Sequence, residues 1–280
     1  MHTFNYQSIF TLGPPGTFSD EVAQKLRSAS TSIIYTRTFA EALIQLSHNA
    51  NTAAVVPIEN SVAGIVAQVQ ELLVREDLII VAEINLKVCY ALLASSPLDQ
   101  VVTHYAHPQA LEQTSDFIAR HLPVSNIEFS HSNVDSGVQF LNSLEQKKCV
   151  AAIVPLSFAD KHPEYIHSKD IQDYKNNTTR FFIVQKKKNS DAFDFTQQKT
   201  SLFVEFKEDR SGLLYELLSI FNQFDINLCR LESRPSKETP WFYVFYVDFT
   251  NNEQTQACID SLQNSFFRCK VLGSYNLIPS

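Results

Sequence analysis

The chain lacks an uncharged apolar run long enough to cross a membrane. Its most apolar stretch, 77–94, is interrupted by Glu83 and Lys87, short of the roughly 20 residues a spanning helix needs. No early apolar run preceded by basic residues marks a secretory signal. Positive charge is also short: 23 Lys and Arg stand against 30 Asp and Glu, a net charge of −7, which excludes a general nucleic-acid binder that must neutralise phosphates. The five cysteines (Cys89, Cys149, Cys229, Cys258 and Cys269) are odd in number, scattered, and never two residues apart as in a C-x-x-C pair. That speaks against a disulfide framework or a thiolate metal site and for a reduced, cytoplasmic protein. Glycine-rich dinucleotide and phosphate loops are missing, as are H-E-x-x-H and G-x-S-x-G. No cofactor and no metal are expected. His104 and His107 lie three apart with Pro108 following, so they are read as one strand and one loop residue rather than a ligand pair. His131, His162 and His167 show no partner spacing and are read as surface residues.

What is present is a chain of 280 residues, 44% hydrophobic and 19% charged, enough for one large or two moderate domains with a real core. Through the first two thirds, short β-rich runs alternate with helical patterns. Ser8–Leu12 reads as a strand, followed by a helix from about Ser19. A second strand over 52–58 precedes a helix over 62–76, whose apolar residues Val62, Ile65, Val66, Val69, Leu72 and Leu73 keep a 3.6-residue period. A strand over 101–106 leads through His107 to Pro108, suited to a first helical position, and a helix to His121; Val150–Pro155 is another strand. The alternation predicts an α/β fold with mostly parallel strands.

The polar run Lys186-Lys187-Lys188-Asn189-Ser190-Asp191 reads as a linker. Beyond it the pattern is strand 201–206, helix 212–224, strand 226–231, strand 241–249, helix 253–262 and strand 269–277. This βαββαβ order is the ferredoxin-like arrangement. Two domains are therefore expected, at 1–186 and 199–280, with Trp241, Tyr243, Phe245 and Val247 as sheet core of the second.

Three strand ends in the first region run into polar loops that open helices, at Gly16-Thr17, Asn60-Ser61 and His107-Pro108-Gln109. In open α/β sheets ligands bind outside the carboxyl ends of strands, where helix N-termini present free N–H groups to anions. A small carboxylate or phosphate ligand fits three such ends; helix capping by Thr17, Ser61 and His107 fits equally well.

More specific are five segments in order: Gly13-Pro14-Pro15-Gly16-Thr17-Phe18-Ser19; Pro57-Ile58-Glu59-Asn60-Ser61 with Gly64; His107-Pro108-Gln109-Ala110-Leu111 with Gln113; Ile171-Gln172-Asp173; and Asn177-Thr178-Thr179-Arg180-Phe181. They resemble the successive motifs of the prephenate dehydratase family. The downstream unit resembles its regulatory ACT domain, through Glu232-Ser233-Arg234-Pro235 and the strand start at Pro240-Trp241. The resemblance implies a catalytic region of two α/β lobes, similar to periplasmic binding proteins, with the site in the cleft between them. It also implies conversion of prephenate to phenylpyruvate with loss of water and carbon dioxide, in phenylalanine biosynthesis. A fused chorismate mutase domain is not expected, because the motifs begin at Thr11.

By this resemblance Thr179 meets the departing ring oxygen, polarising it through a placed hydrogen bond. Arg180 is assigned to orient a substrate carboxylate, since its fixed fork suits one. Thr17, Asn60, Ser61 and Gln113 are neutral donors, Gly16, His107 and Gln109 line the site, and Phe181 is an apolar wall. Glu59 either touches substrate or supports the fold. Phenylalanine is expected near the Gly212-Leu213-Leu214 loop and Glu232, Ser233 and Arg234, between regulatory domains of two subunits in a homodimer or homotetramer.

The sequence departs from the family's pattern in four places. Ala106 replaces the usual serine before His-Pro-Gln, and Thr114 a common cysteine. Ser211 and Leu213 alter the usual Pro-Gly-Ala-Leu loop, where the bulkier Leu213 is expected to narrow the amino-acid pocket. Arogenate dehydratase, which performs the same elimination on the aminated substrate, shares the motifs. A noncatalytic sensor of amino acids or carboxylates is the alternative from another class, disfavoured by the retained Thr179.

Overall fold

Successive residues of a strand face opposite sides of its sheet, and in β1 (Ser8–Leu12) both sides are covered. Ile9 packs among Val22, Ala23 and Leu26, whereas Phe10 packs among Leu43, Leu46 and Leu73. The remaining elements follow in order in a computed structural model, which describes residues 5–48, 51–188, 192–208, 210–237, 239 and 241–279. The linker positions Asn189, Ser190 and Asp191, and Pro240, lie outside the described residues.

After β1 come α1 (Phe18–Leu26), β2 (Ser32–Thr36), α2 (Phe39–Gln45), β3 (Thr52–Asn60), the two-residue β4 (Gly64–Ile65), α3 (Ala67–Arg75) and β5 (Leu78–Lys87). The chain then crosses to a second lobe: β6 (Tyr90–Ala94), β7 (Thr103–Ala106), α4 (Pro108–Gln113), α5 (Ser115–His121), β8 (Asn126–Phe129), α6 (Asn133–Glu145), β9 (Val150–Pro155), α7 (Leu156–Ala159) and β10 (Ile166–Lys169). It returns to the first lobe as β11 (Thr178–Lys186). The two crossings lie side by side, tied by Val88 N donating to Asn177 O at 2.8 Å.

Both sheets are mixed rather than mostly parallel. The β2–β1–β3 and β8–β7–β9 neighbours are parallel, because helices carry the chain back between them. Strands that enter or leave a lobe have no such helix: β11 runs antiparallel to both β3 and β5, and β6 antiparallel to β9 and β10.

Two expected helices are shorter than their periodicity implies. The 62–76 pattern is helical only from Ala67; Val62 and Ile65 are exposed, and Gly64 and Ile65 pair back onto Asn60 and Glu59. The 108–121 helix breaks at Thr114, where φ is −127° and ψ 17°.

The C-terminal unit comprises β12 (Lys199–Phe206), α8 (Leu213–Gln223), β13 (Leu228–Pro235), β14 (Tyr243–Thr250), α9 (Thr255–Gln263) and β15 (Phe267–Ile278). Its sheet order β13-β14-β12-β15 is the antiparallel ferredoxin-like arrangement expected from the element order. One face carries α8 and α9 over Leu202, Val204, Phe245, Val247 and Phe249. The other face is covered too: Val244, Tyr246, Leu272 and Tyr275 enter the core of the first lobe beside Leu72, Leu73 and Phe182. Strand β14 is therefore buried on both faces, not on the alternate residues expected. Trp241 and Tyr243 are not among its core residues: Tyr243 begins the strand exposed, and Trp241 precedes it with φ 69° and is 88% exposed.

The sheets of the C-terminal unit and of the first lobe meet edge to edge. The last residues of β15 pair in parallel with β5 (Asn276 with Ala82, Leu277 with Glu83, Ile278 with Ile84), so one sheet runs from β13 to β2. Gly273 permits the approach: a Cβ there would sit 2.3 Å from the Ile80 carbonyl oxygen, a backbone atom that no rotamer change moves aside. Gly273→Ala is expected to destabilise the protein by about 1–3 kcal/mol through overpacking. A urea midpoint equal to wild type would contradict this close packing. No helix among the described residues is long and apolar enough to cross a membrane.

Candidate active site

The antiparallel register of β3 and β11 sets Asn60 opposite Thr179 and Glu59 opposite Arg180. Because neighbouring side chains leave a sheet on opposite faces, the two pairs address different environments. Asn60 Oδ1 accepts from the backbone N–H groups of Val62 (2.9 Å) and Ala63 (2.8 Å). Those groups only donate, so the amide orientation of Asn60 is settled: its Nδ2 faces Asn177 Oδ1 at 2.8 Å and Thr179 Oγ1 at 2.9 Å. Thr179 therefore accepts from Asn60, and its own O–H proton stays available to a third group. Asn177 carries the polarity onward, its Nδ2 donating to Gln113 Oε1 at 2.7 Å. This buried ladder joins β3 and β11 of the first lobe to α4 of the second. It ends on Gln113 Nε2, which makes no hydrogen bond among the described residues. Asn177 has no role assigned from sequence, where its only signal is that it opens the motif ending at Phe181; its burial at the lobe crossing shows only in the fold.

The other expected contacts divide. Gly16 adopts φ +92°, a left-handed turn glycine tolerates, and its N–H donates to Asp20 Oδ2 at 2.7 Å. Thr17 caps α1: its Oγ1 accepts from Asp20 N and donates to Leu12 O, both at 3.3 Å. The Gly16 loop nonetheless faces the second lobe, since a Cβ there would lie 3.5 Å from Val134 Cγ2 at the start of α6. Ser61 caps no helix, because α3 begins later; its Oγ accepts from Thr178 N at 3.0 Å and ties β3 to the crossing. His107 caps α4 through Nδ1, which accepts from Gln109 N at 3.3 Å. Burial lowers the His107 pKa, which favours the neutral ring with its proton on Nε2, a neutral donor. Gln109 is exposed at the first turn of the same helix.

Phe181 is not a wall of an open site. It is fully buried in the first lobe's core with Ile9, Val22 and Ile183. Arg180, expected to orient a substrate carboxylate, leaves the sheet on the face away from Asn60 and Thr179. It lies over the Phe182 ring, 5.7 Å from guanidinium to centroid, on the face toward the C-terminal unit. Its Nη1 donates to Glu59 at 2.9 Å and its Nη2 to Glu83 at 2.8 Å and Asp248 at 3.0 Å. Burial alone would lower the Arg180 pKa, but Asp248 and Glu83 outweigh burial and hold it above its ordinary value. Both terminal nitrogens are thus committed to carboxylates of the protein itself, and Nε is buried without a partner among the described residues. Glu59 is bonded to Arg180 on that same face. The sequence presents Glu83 only as a break in an apolar run and gives Asp248 and Arg230 no role; their pairing is visible only once β15 joins β5.

A family model described as Prephenate dehydratase matches residues 9–189. The prephenate dehydratase of Methanocaldococcus jannaschii is 32% identical over 278 residues, covering 97% of this chain and 98% of that one. The chain belongs to the prephenate dehydratase family. Among solved structures, the family member from Staphylococcus aureus superposes with TM-score 0.81 at 26% identity, covering 96% of this chain and 100% of that one. The Arthrobacter aurescens prephenate dehydratase, solved in complex with L-Phe, superposes with TM-score 0.82 at 27% identity, covering 96% and 90%.

The departures from the family's pattern have physical readings. Ala106 is fully buried in the second lobe's core, and its carbonyl accepts from Ser130 N at 3.0 Å. The Ser130 hydroxyl, buried and without a partner among the described residues, thus lies beside the position where a family serine is absent. Thr114 donates its hydroxyl to Ala110 O at 2.8 Å, inside the lobe. Leu213 is buried with Leu217, Phe221 and Val204, while Leu214 is the exposed neighbour. Along β13 the alternation divides the expected phenylalanine contacts. Glu232 turns toward the first lobe, bonded to Gln70 Nε2 (2.8 Å) and Arg234 Nε (2.8 Å), and Ser233 to the opposite face. Gly212, φ +90°, opens α8.

Proposed function

We propose that this chain converts prephenate to phenylpyruvate, as a carbon–oxygen lyase of the cytoplasm, with a C-terminal ACT unit through which phenylalanine restrains it. The observation that carries the reading is the Asn60–Thr179 hydrogen bond, which leaves the threonine proton free. In the reaction the ring–carboxylate bond breaks and its electron pair enters the ring. The opposite carbon–oxygen bond breaks as hydroxide leaves, and solvent supplies the proton that completes water. Aromatisation drives the sequence downhill, so the barrier lies in charge building on the departing oxygen. A pre-oriented O–H stabilises that charge without reorganising, and the hydrogen bond received from Asn60 increases its polarity.

The substrate would lie against Thr179, with Gln113 Nε2, His107 Nε2–H and the exposed Gln109 side-chain amide as neutral donors to its carboxylates and keto group. Neutral donors suit a carboxylate that must leave as carbon dioxide, since a tight ion pair would stabilise the ground state. Thr17, Gly16, Asn60 and Ser61 shape the loops around it through their own hydrogen bonds. For regulation, β13 is an outer strand of the long sheet, and Leu214, Tyr215, Leu231 and Tyr243 are exposed on the same unit. An unpaired strand edge beside apolar side chains supports self-association, as homodimer or homotetramer, with phenylalanine held near Gly212 and β13.

The test is turnover of purified protein with prephenate, following phenylpyruvate by absorbance, beside arogenate and with added phenylalanine. Phenylpyruvate release that falls on phenylalanine addition is expected. Tight prephenate binding with no product would instead make the chain a sensor.

A further inference from the structure

The sheet that presents Asn60 and Thr179 on one face presents Glu59 and Arg180 on the other, in the same register. Behind that second pair lies a continuous set of ion pairs. Arg180 holds Glu59, Glu83 and Asp248; Lys199 holds Glu83 at 3.0 Å; Arg230 reaches Glu59 and Asp248, each at 3.6 Å, and pairs with Glu232. With Arg234 on Glu232, four cations meet four carboxylates, so the set is neutral. Three of its members (Glu59, Glu83 and Arg180) come from the first lobe and five from the C-terminal unit. Glu83 is 0% and Asp248 2% exposed, and Ser201 donates to the remaining Asp248 oxygen at 2.6 Å. Such buried groups hold position, because leaving any one unpaired is strongly unfavourable.

We infer that Arg180, clamped by Glu59 and Asp248, is a positioning residue for the elimination: it fixes the β3–β11 register behind Thr179, and the C-terminal unit supplies part of the clamp. The inference rests on the proposed reaction but assigns Arg180 away from the substrate. A hydrogen-bond donor is effective only near its productive geometry, and a displacement of about 1 Å costs on the order of 100-fold in rate. A shift in β13 at Arg230 or Glu232 reaches Arg180 through Asp248 and Glu59, giving an effector on that strand a route to the reacting face.

The experiment compares Asp248→Asn, Glu59→Gln and Arg180→Lys with wild type, by steady-state kinetics on prephenate and by hydrogen exchange of segments 56–62 and 177–183. Asp248 belongs to the C-terminal unit and cannot act as a substrate ligand from behind the sheet. Glu59, half-buried, is the variant least exposed to misfolding. All three are expected to lower kcat roughly 10- to 100-fold with KM within about 3-fold, and to speed exchange in those two segments. Lysine should fail to rescue, because a point charge cannot span three carboxylates. A raised KM with kcat preserved in Arg180→Lys would return Arg180 to the substrate. Wild-type kcat and exchange in both Asp248→Asn and Glu59→Gln would overturn the clamp. An inactive wild type would refute the proposed reaction instead, and exchange alone would then decide whether the clamp exists.

Discussion

Thr179→Val is expected to lower kcat by about 10²–10³-fold, the usual cost of removing one placed donor from a developing oxyanion. Valine keeps the branched shape and the strand preference of threonine, so β11 should retain its pairing with β3 and β5. Asn60 Nδ2 loses one acceptor but keeps Asn177 Oδ1, so no buried amide is stranded. The unfolding midpoint should therefore move little while turnover collapses. KM should change less than kcat, because the missing interaction is made chiefly in the transition state. Near-normal kcat in a folded Thr179→Val protein would remove the threonine from the chemistry. Circular dichroism and a urea titration on the same preparation separate that outcome from unfolding.

Arg180→Met is expected to produce the largest loss of stability of any single change considered. The substitution preserves much of the side chain's length over Phe182 but leaves Glu83 and Asp248 buried together, with Glu59 at their side. Breaking a buried ion pair by removing one partner costs about 3–5 kcal/mol, far more than losing an exposed pair. Lys199 and Arg230 remain as partial counter-charges, so the loss should sit within that range rather than above it. Urea unfolding followed by fluorescence gives the measurement. A midpoint shift equivalent to less than about 1 kcal/mol, the value of a surface pair, would mean that water reaches the cluster.

How far the primary structure could be read depended on the element. Strands at Ser8–Leu12 and Val150–Pro155 have the bounds their apolar runs imply, because each is buried on both faces and bounded by turn residues. The 62–76 helix is shorter than its pattern implies: Val62 and Ile65 keep the helical period, yet Asn60 Oδ1 takes the N–H groups of Val62 and Ala63 and turns the chain first. At the candidate site, the motif residues Asn60, Asn177, Thr179 and Gln113 are brought within hydrogen-bond reach, although up to 119 positions separate them. Residue type suggested donors; only geometry tells which atom donates. Arg180 illustrates the limit most directly. Its guanidinium suits any carboxylate, and sequence offers no means to choose between a substrate's and those of Glu59, Glu83 and Asp248.

The amino-acid sequence by itself determined the α/β class, the βαββαβ order of the C-terminal unit and the family to which the chain belongs. These follow from local periodicity and ordered motifs, which each segment carries without reference to its neighbours. Tertiary structure alone decided that the first-lobe and C-terminal sheets join through β15 and β5, that β14 is buried on both faces, and that Arg180 faces away from Thr179. Each of those depends on which surface covers a given face. Coverage is set by the packing of elements distant in sequence, through burial and charge pairing that no local pattern encodes.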